Sequence, residues 1–328
     1  MKGSRPTTLT ALVVLAATIT SAAVWMTMRR PPQAVHSDAA HARPLPAPRP
    51  DDYVGSRSCA ECHAEIFERY QSHSMSHSMA TIGEDPPIEM LEEELRIKPT
   101  GDQHAGHEYL VQWDGETMHH GDRMRDADGE IIFEQTMPVR FAIGSGRRGR
   151  AYVIEKEGRL AQSPIGWYAH GERWDLSPGY HEDPSLRFER AIGDGCLYCH
   201  AGKVAVDPDD PSRYDEPIFL EASIGCERCH GPGGQHVQVM QQLAEGESCE
   251  DCRIVNPADL DPARREAVCN QCHLAGEAAI PRYGRGLYDF RPGDHLDDTL
   301  VVFVEGQRAG SGRAVSQVEQ MQSSRCYQ

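Results

Sequence analysis

Along residues 84–180 apolar positions come in short runs that alternate with polar ones. Tyr109-Leu110-Val111-Gln112-Trp113, Ile131-Ile132-Phe133 and Ala151-Tyr152-Val153-Ile154 are rich in β-branched and aromatic residues, and Asp-Gly, Glu-Gly and Ser-Gly pairs separate them. Runs of that length bounded by turn residues predict strands, so this stretch reads as a β-rich insert. A different period governs residues 53–83. There Cys59, Cys62, His63, Ile66, Phe67 and Tyr70 recur at steps of three and four, which predicts one amphipathic helix within 55–80 with both cysteines and the histidine on its apolar stripe. From residue 181 onward Pro- and Gly-rich connections interrupt short helical patterns. Asp261 before Pro262 predicts an N-cap and a helix running through Arg264 and Val268 to His273.

The amino-terminal pattern is neither of these. Residues 6–28 carry no charge and include Leu12, Val13, Val14, Leu15, Ile19, Val24 and Trp25, with Lys2 and Arg5 before them and Arg29-Arg30 after. Such a run is long enough to span a bilayer as a helix. Ser21-Ala22-Ala23 would suit a signal peptidase, but the length and the basic ending favour a signal anchor over a removed signal peptide. Either reading exports the remainder of the chain. Residues 29–52, with six prolines among Ala and Arg, predict an extended tether. The expected organisation is therefore a signal anchor or signal peptide at 1–28, a tether at 29–52, a first cysteine-bearing segment at 53–83, the β-rich insert at 84–180 and a second cysteine-bearing segment at 181–328.

Composition sharpens this picture in two ways. Aromatic residues make up only 7% of the chain and there are just 7 Phe, which is lean for 328 residues unless something other than protein fills the interior. The formal charge of -17, from 33 Lys and Arg against 50 Asp and Glu, excludes a general nucleic-acid binder, because phosphate neutralisation needs cations. A basic protein partner suits such a surface better.

Cys-x-x-Cys-His occurs at Cys59-Ala60-Glu61-Cys62-His63, Cys196-Leu197-Tyr198-Cys199-His200, Cys226-Glu227-Arg228-Cys229-His230 and Cys269-Asn270-Gln271-Cys272-His273. A random arrangement of the same residues would give roughly 0.02 such matches, so the repetition is not accidental, and the pattern is the c-type haem attachment signature. Its spacing has a physical reason. Cysteines three apart share one side of a helical turn, so both thiols can add to the vinyl groups of one porphyrin while the next residue presents its imidazole to the iron. Four motifs imply at least four haem c groups, with Cys59, Cys62, Cys196, Cys199, Cys226, Cys229, Cys269 and Cys272 as attachment points and His63, His200, His230 and His273 as iron ligands.

Zinc is the rival for the last motif. Cys249-x2-Cys252 followed by Cys269-x2-Cys272 has zinc-ribbon spacing, but His273 repeats the arrangement of the other three sites and favours haem. Cys249 and Cys252 are then left over as a disulfide, a free thiol pair or a haem site that lost its ligand, and an oxidising compartment favours the disulfide. Cys326 makes an odd total. For the second axial position, His73 and His77 lie four apart on an expected helix, and His236 follows a Gly/Pro turn that would bring its ring back over a neighbouring haem. Met75 and Met79 are weaker candidates, better explained by packing. Gly144-Ser145-Gly146-Arg147-Arg148-Gly149-Arg150 lacks the Lys-Ser/Thr ending of a phosphate loop and reads as a basic hairpin turn whose arginines would contact haem propionates.

Tyr53-Val54-Gly55-Ser56, Ser72-His73-Ser74-Met75, the stretch from Cys226-Glu227-Arg228 to Gln235-His236, and Val268-Cys269-Asn270-Gln271-Cys272-His273 resemble the exported multihaem cytochromes of the tetrahaem superfamily that serves hydroxylamine oxidation. Larger bacterial relatives also share Ile143-Gly144-Ser145-Gly146-Arg147-Arg148-Gly149-Arg150 and Trp174-Asp175-Leu176-Ser177-Pro178-Gly179. The resemblance spans roughly residues 53–328. It implies bis-histidine haems in close-packed pairs, an electron-transfer role, and a chain that continues past residue 328 into further motifs. Motifs and resemblance together give an expected fold of short helices and loops packed around haems with a β-rich insert. The expected function is electron transfer to redox partner proteins outside the cytoplasm, with membrane attachment through the amino-terminal segment. The alternative is an oxidoreductase acting on small nitrogen or sulfur compounds at one haem with an open coordination position.

Overall fold

The computed structural model describes residues 52–206, 210, 213–243, 247–304 and 316–327. Its largest element is a nine-stranded antiparallel sheet. The path runs β2 (Glu94–Ile97), β3 (His107–Trp113), β4 (Met118–Arg125), β5 (Ile131–Ile143), β6 (Gly149–Lys156), β7 (Arg159–Tyr168) and β8 (Arg173–Leu176). The short β1 (Met79–Thr81) pairs with β5, and β9 (Arg190–Ala191) pairs with β7. Every step along the path is a hairpin to the next strand in sequence, which is how short runs punctuated by turn residues pair. Arg147 and Arg148 lie in the β5–β6 connection, the hairpin turn expected of them.

Alternation along the strands gives the sheet two apolar faces. Tyr152 belongs to one buried cluster and its neighbour Val153 to another, as adjacent strand residues should. The first cluster joins Ile97 of β2, Tyr109 and Val111 of β3, Met118 of β4, Ile165 and Trp167 of β7 and Leu176 of β8. Residues from both ends of the strand path meet there, so the sheet rolls round its own core and is nearly closed, like a barrel. Cross-links support the closure: Trp174 Nε1 donates to the Met90 carbonyl at 3.4 Å, and His104 Nε2 to the His181 carbonyl at 3.1 Å. The second cluster lies on the outer face, where Phe141, Val153 and Leu160 meet Leu197, Ala201 and the hairpin of β10 (Lys203–Val206) and β11 (Tyr214–Glu221).

This architecture corrects the expected fold. Short helices and loops are not the main body; the sheet is, and it extends on both sides of residues 84–180 through β1 and β9. The reason is length: a haem motif occupies five residues, whereas the alternating runs supply eight- to thirteen-residue strands such as β4, β5 and β7. The expected anchor at 1–28, and the tether apart from Asp52, lie outside the described residues. Among the described residues no helix is long and apolar enough to cross a membrane.

Candidate haem-binding site

Each of the four motifs lies on or beside a short helix, and the second packs through Leu197 on the sheet's outer face. Cys59 is on α1 (Ser56–Ala60). The helix expected through residues 55–80 divides after it, because the chain leaves helical geometry at His63 (φ -116°, ψ 40°) before α2 (Ala64–Gln71) begins. None of the residues of α2 is buried, and Ile66 is 56% exposed, so protein covers little of the apolar stripe. Cys196, Cys199 and His200 lie on α3 (Asp194–His200), anchored by fully buried Leu197. Cys226 caps α4 (Glu227–His230), which Gly231 ends at φ 82°, a conformation glycine adopts without strain. The chain then turns into α5 (Gly234–Gln242), which carries His236. Cys269, Cys272 and His273 close α6 (Pro262–His273), whose cap is the predicted one: the Asp261 carboxylate accepts from Arg264 N at 3.2 Å.

Folding brings motifs together in couples that the sequence order does not suggest. The thiols of Cys59 and Cys226 meet, and so do those of Cys199 and Cys272. In each couple a thiol–thiol hydrogen bond raises one member, Cys59 or Cys199, and lowers the other, Cys226 or Cys272. Burial pushes Cys229 up to about 11 and holds the His200 imidazole below its usual range. None of the eight motif cysteines is in a disulfide, so every pair keeps both sulfurs for thioether bonds.

A cavity of about 580 Å³ opens between the second, third and fourth motifs, lined by Cys199, His200, Cys229, Cys269, Cys272 and His273. Met75, Arg147, Arg148 and Arg228 complete its wall. Arg228 is buried, donating to the Tyr198 carbonyl at 2.6 Å and reaching Cys272 Sγ at 3.7 Å. The lining suits a flat apolar macrocycle with anionic substituents: thiols and imidazoles converge on the space, and guanidinium groups stand at its rim.

Across the first and third motifs, the rings of His63 and His236 stack with centroids 6.4 Å apart and planes within 15°. These two imidazoles are the residues that would hold one haem iron, His63 as the histidine of its motif and His236 from the facing segment. His236 Nδ1–H donates to the Cys252 carbonyl at 2.7 Å, and His230 Nδ1–H to the Val255 carbonyl at 2.8 Å, which leaves Nε2 as the nitrogen each ring would offer to a metal.

His73 and His77 are engaged differently. His73 Nδ1 accepts from Met75 N at 3.2 Å as the cap of the turn Ser74–His77, and His77 Nε2 donates to the Gln71 carbonyl at 2.6 Å. Both rings therefore bond local backbone, although His77 also borders a second cavity of about 480 Å³ with Phe67 and Tyr70. Met79 is a core residue of the outer-face cluster. Cys249 and Cys252 are joined in a disulfide, which takes up two of the four thiolates a zinc ribbon would need. Sequence reasoning missed Glu227 and Arg228, the variable pair of the third motif, and the carbonyls of Cys252 and Val255. A charged pair inside a motif flanked by apolar residues was the available signal for the first two.

Part of the chain resembles a known family. Residues 179–231, which hold the second and third motifs, match the family model described as cytochrome c554 and c-prime. That match and the motifs support a c-type cytochrome, a protein that holds haem c covalently. No curated protein matches the sequence. Among solved structures, the outer cell wall cytochrome OcwA is similar at 18% identity with a TM-score of 0.46, the alignment covering 76% of this chain and 45% of that one. The chain thus spans less than half the length of that cytochrome.

Proposed function

We propose that the chain is a multihaem cytochrome that transfers electrons outside the cytoplasm through at least four covalently held haems. Each Cys-x-x-Cys-His motif would hold one haem by its two thiols and one imidazole, supplying an iron centre that exchanges single electrons. The observation that carries the reading is the His63–His236 pair: two near-parallel rings with centroids 6.4 Å apart, one of them the histidine of an attachment motif. His236 would accordingly supply the second imidazole to the haem of the first motif. His73 and His77 remain candidates for neighbouring irons through the ring nitrogens their backbone bonds leave open. The shared cavity between motifs two, three and four supports close haem spacing, which efficient transfer requires, and the acidic surface suits a basic redox partner. Export and membrane attachment through residues 1–28, and kinship with the tetrahaem cytochromes of hydroxylamine oxidation, belong to the same reading.

Absorption spectra of the oxidised and reduced protein, with carbon monoxide or nitrite added, test it. Wholly low-spin haems indifferent to both ligands are expected. A high-spin fraction that binds either one would point instead to an oxidoreductase of small nitrogen or sulfur compounds.

A further inference from the structure

Glu227 is the first variable residue of the third motif, yet only 1% of it is exposed. A carboxylate buried that deeply must be satisfied by donors, and the donors here are three backbone amides from two distant places. Val54 N reaches Oε1 at 3.0 Å and Gly55 N reaches Oε2 at 2.8 Å, at the entry to α1 of the first motif. Gly233 N reaches Oε1 at 2.7 Å, at the entry to α5. His63 lies eight residues beyond Gly55, past the end of α1, and His236 three residues beyond Gly233. One carboxylate thus ties the origins of both segments that carry the stacked rings.

The surroundings reinforce the tie. Cys226 N donates to Ser56 Oγ at 2.9 Å, and Cys226 and Cys59 share a thiol couple, so the residue next to Glu227 also joins the first and third motifs. A carboxylate suits the position because it accepts only. Glutamine offers a single acceptor oxygen and would turn its NH₂ toward at least one amide donor. A side chain Cβ at Gly233 would come within 3.3 Å of the carboxylate oxygen and 3.2 Å of Val54, so the close approach depends on a residue without one.

We infer that Glu227 is a positioning residue that sets the spacing between His63 and His236. The inference rests on the reading that these two rings ligate one haem iron. Loss of the carboxylate would loosen α5 from α1, leaving the Gly234 N–Asp52 carbonyl bond at 2.9 Å, and would let His236 move away from His63, while the thiols of the first motif would still hold its haem.

The test compares Glu227→Gln, Glu227→Asp and His236→Ala in the full chain matured with haem. Mass spectrometry counts haems, and carbon monoxide difference spectra count open irons. Glu227→Gln is expected to keep every haem yet gain a carbon monoxide-reactive, high-spin fraction approaching one haem per chain, with Glu227→Asp intermediate. Should Glu227→Gln not accumulate, Glu227→Asp decides the matter by the same two readouts. Full haem content with an unchanged, wholly low-spin spectrum in the glutamate variants overturns the inference if His236→Ala does open one iron. If His236→Ala opens none, the axial pairing itself is wrong, and the two failures are distinguished.

Discussion

The sheet and the motif segments solve the problem of an interior by different means. Inside the rolled sheet, Tyr109, Tyr152, Ile165 and Tyr180 are fully enclosed by protein, and ladder hydrogen bonds join every neighbouring strand. Around the motifs, helices run from four to twelve residues, α2 buries no residue, and Cys62, Cys196 and Cys269 are exposed. Isolated helices that short are marginal in water. What orders them is a set of specific ties, namely the Glu227 carboxylate, the Tyr70 hydroxyl on the Ile224 carbonyl at 2.6 Å and the Tyr198 hydroxyl on Gln271 at 3.1 Å, together with packing on the sheet's outer face. The sheet thus encloses its core with its own side chains, whereas on the proposed reading covalently attached haem would supply what the motif side lacks.

The strongest way to break that contrast is to make the chain in a host that cannot attach haem. Limited proteolysis followed by mass spectrometry should then show cuts in the motif helices within residues 56–71 and 226–273, while the sheet from β3 to β8 persists as a protected fragment. Simultaneous loss of both regions would show that the sheet does not stand alone.

A smaller effect, of a few kcal/mol, separates the regions by pH. His120 is fully buried in the rolled sheet, its Nδ1 paired with Ser163 Oγ at 2.7 Å and its ring packed edge-on against Tyr152 and Trp174. Burial, with a lesser contribution from neighbouring His119, holds its pKa down to about 3 against 6.5 for a free imidazole. The depressed value means the folded sheet excludes the proton that the unfolded chain accepts. This stabilisation is complete above about pH 6.5 and is lost as the pH falls toward 3. Denaturation of His120→Asn across that window should show a flatter acid limb than the parent, with haem spectra unaltered. An unchanged slope would mean that the acid sensitivity arises elsewhere.

Replacing Cys249 and Cys252 together by serine should cost least. The closed loop is short, so the loss of stability is at most about 2 kcal/mol. Because the Cys252 carbonyl orients His236, the haem it serves should nonetheless change its reduction potential while the others keep theirs, as resolved by spectroelectrochemical titration. Potentials identical throughout would separate the disulfide from the axial ligand.

The strands were legible because alternation is local: the runs at Tyr109, Ile131 and Ala151 fall in β3, β5 and β6. Their dominance was not legible, since rolling the sheet into a near-closed body gathers Ile97 and Leu176 into one cluster, and no window of sequence holds both. The cap at Asp261 was readable for the same local reason, whereas the helix break at His63 was not, because spacing alone continues through it. Among candidate site residues, His236 is picked out by its Gly/Pro turn as a residue that would reach a neighbouring haem. Its pairing with His63, and the clamp by Glu227, required chain segments about 170 residues apart to meet.

The central claim is that the paired thiols at 59/62, 196/199, 226/229 and 269/272 each hold one haem. Intact-mass and peptide mass spectrometry of the mature protein tests it most directly. Four haem adducts mapped to those four pairs are predicted, with Cys249 and Cys252 unmodified by haem; free thiols at those pairs in protein from a maturation-competent host would contradict it.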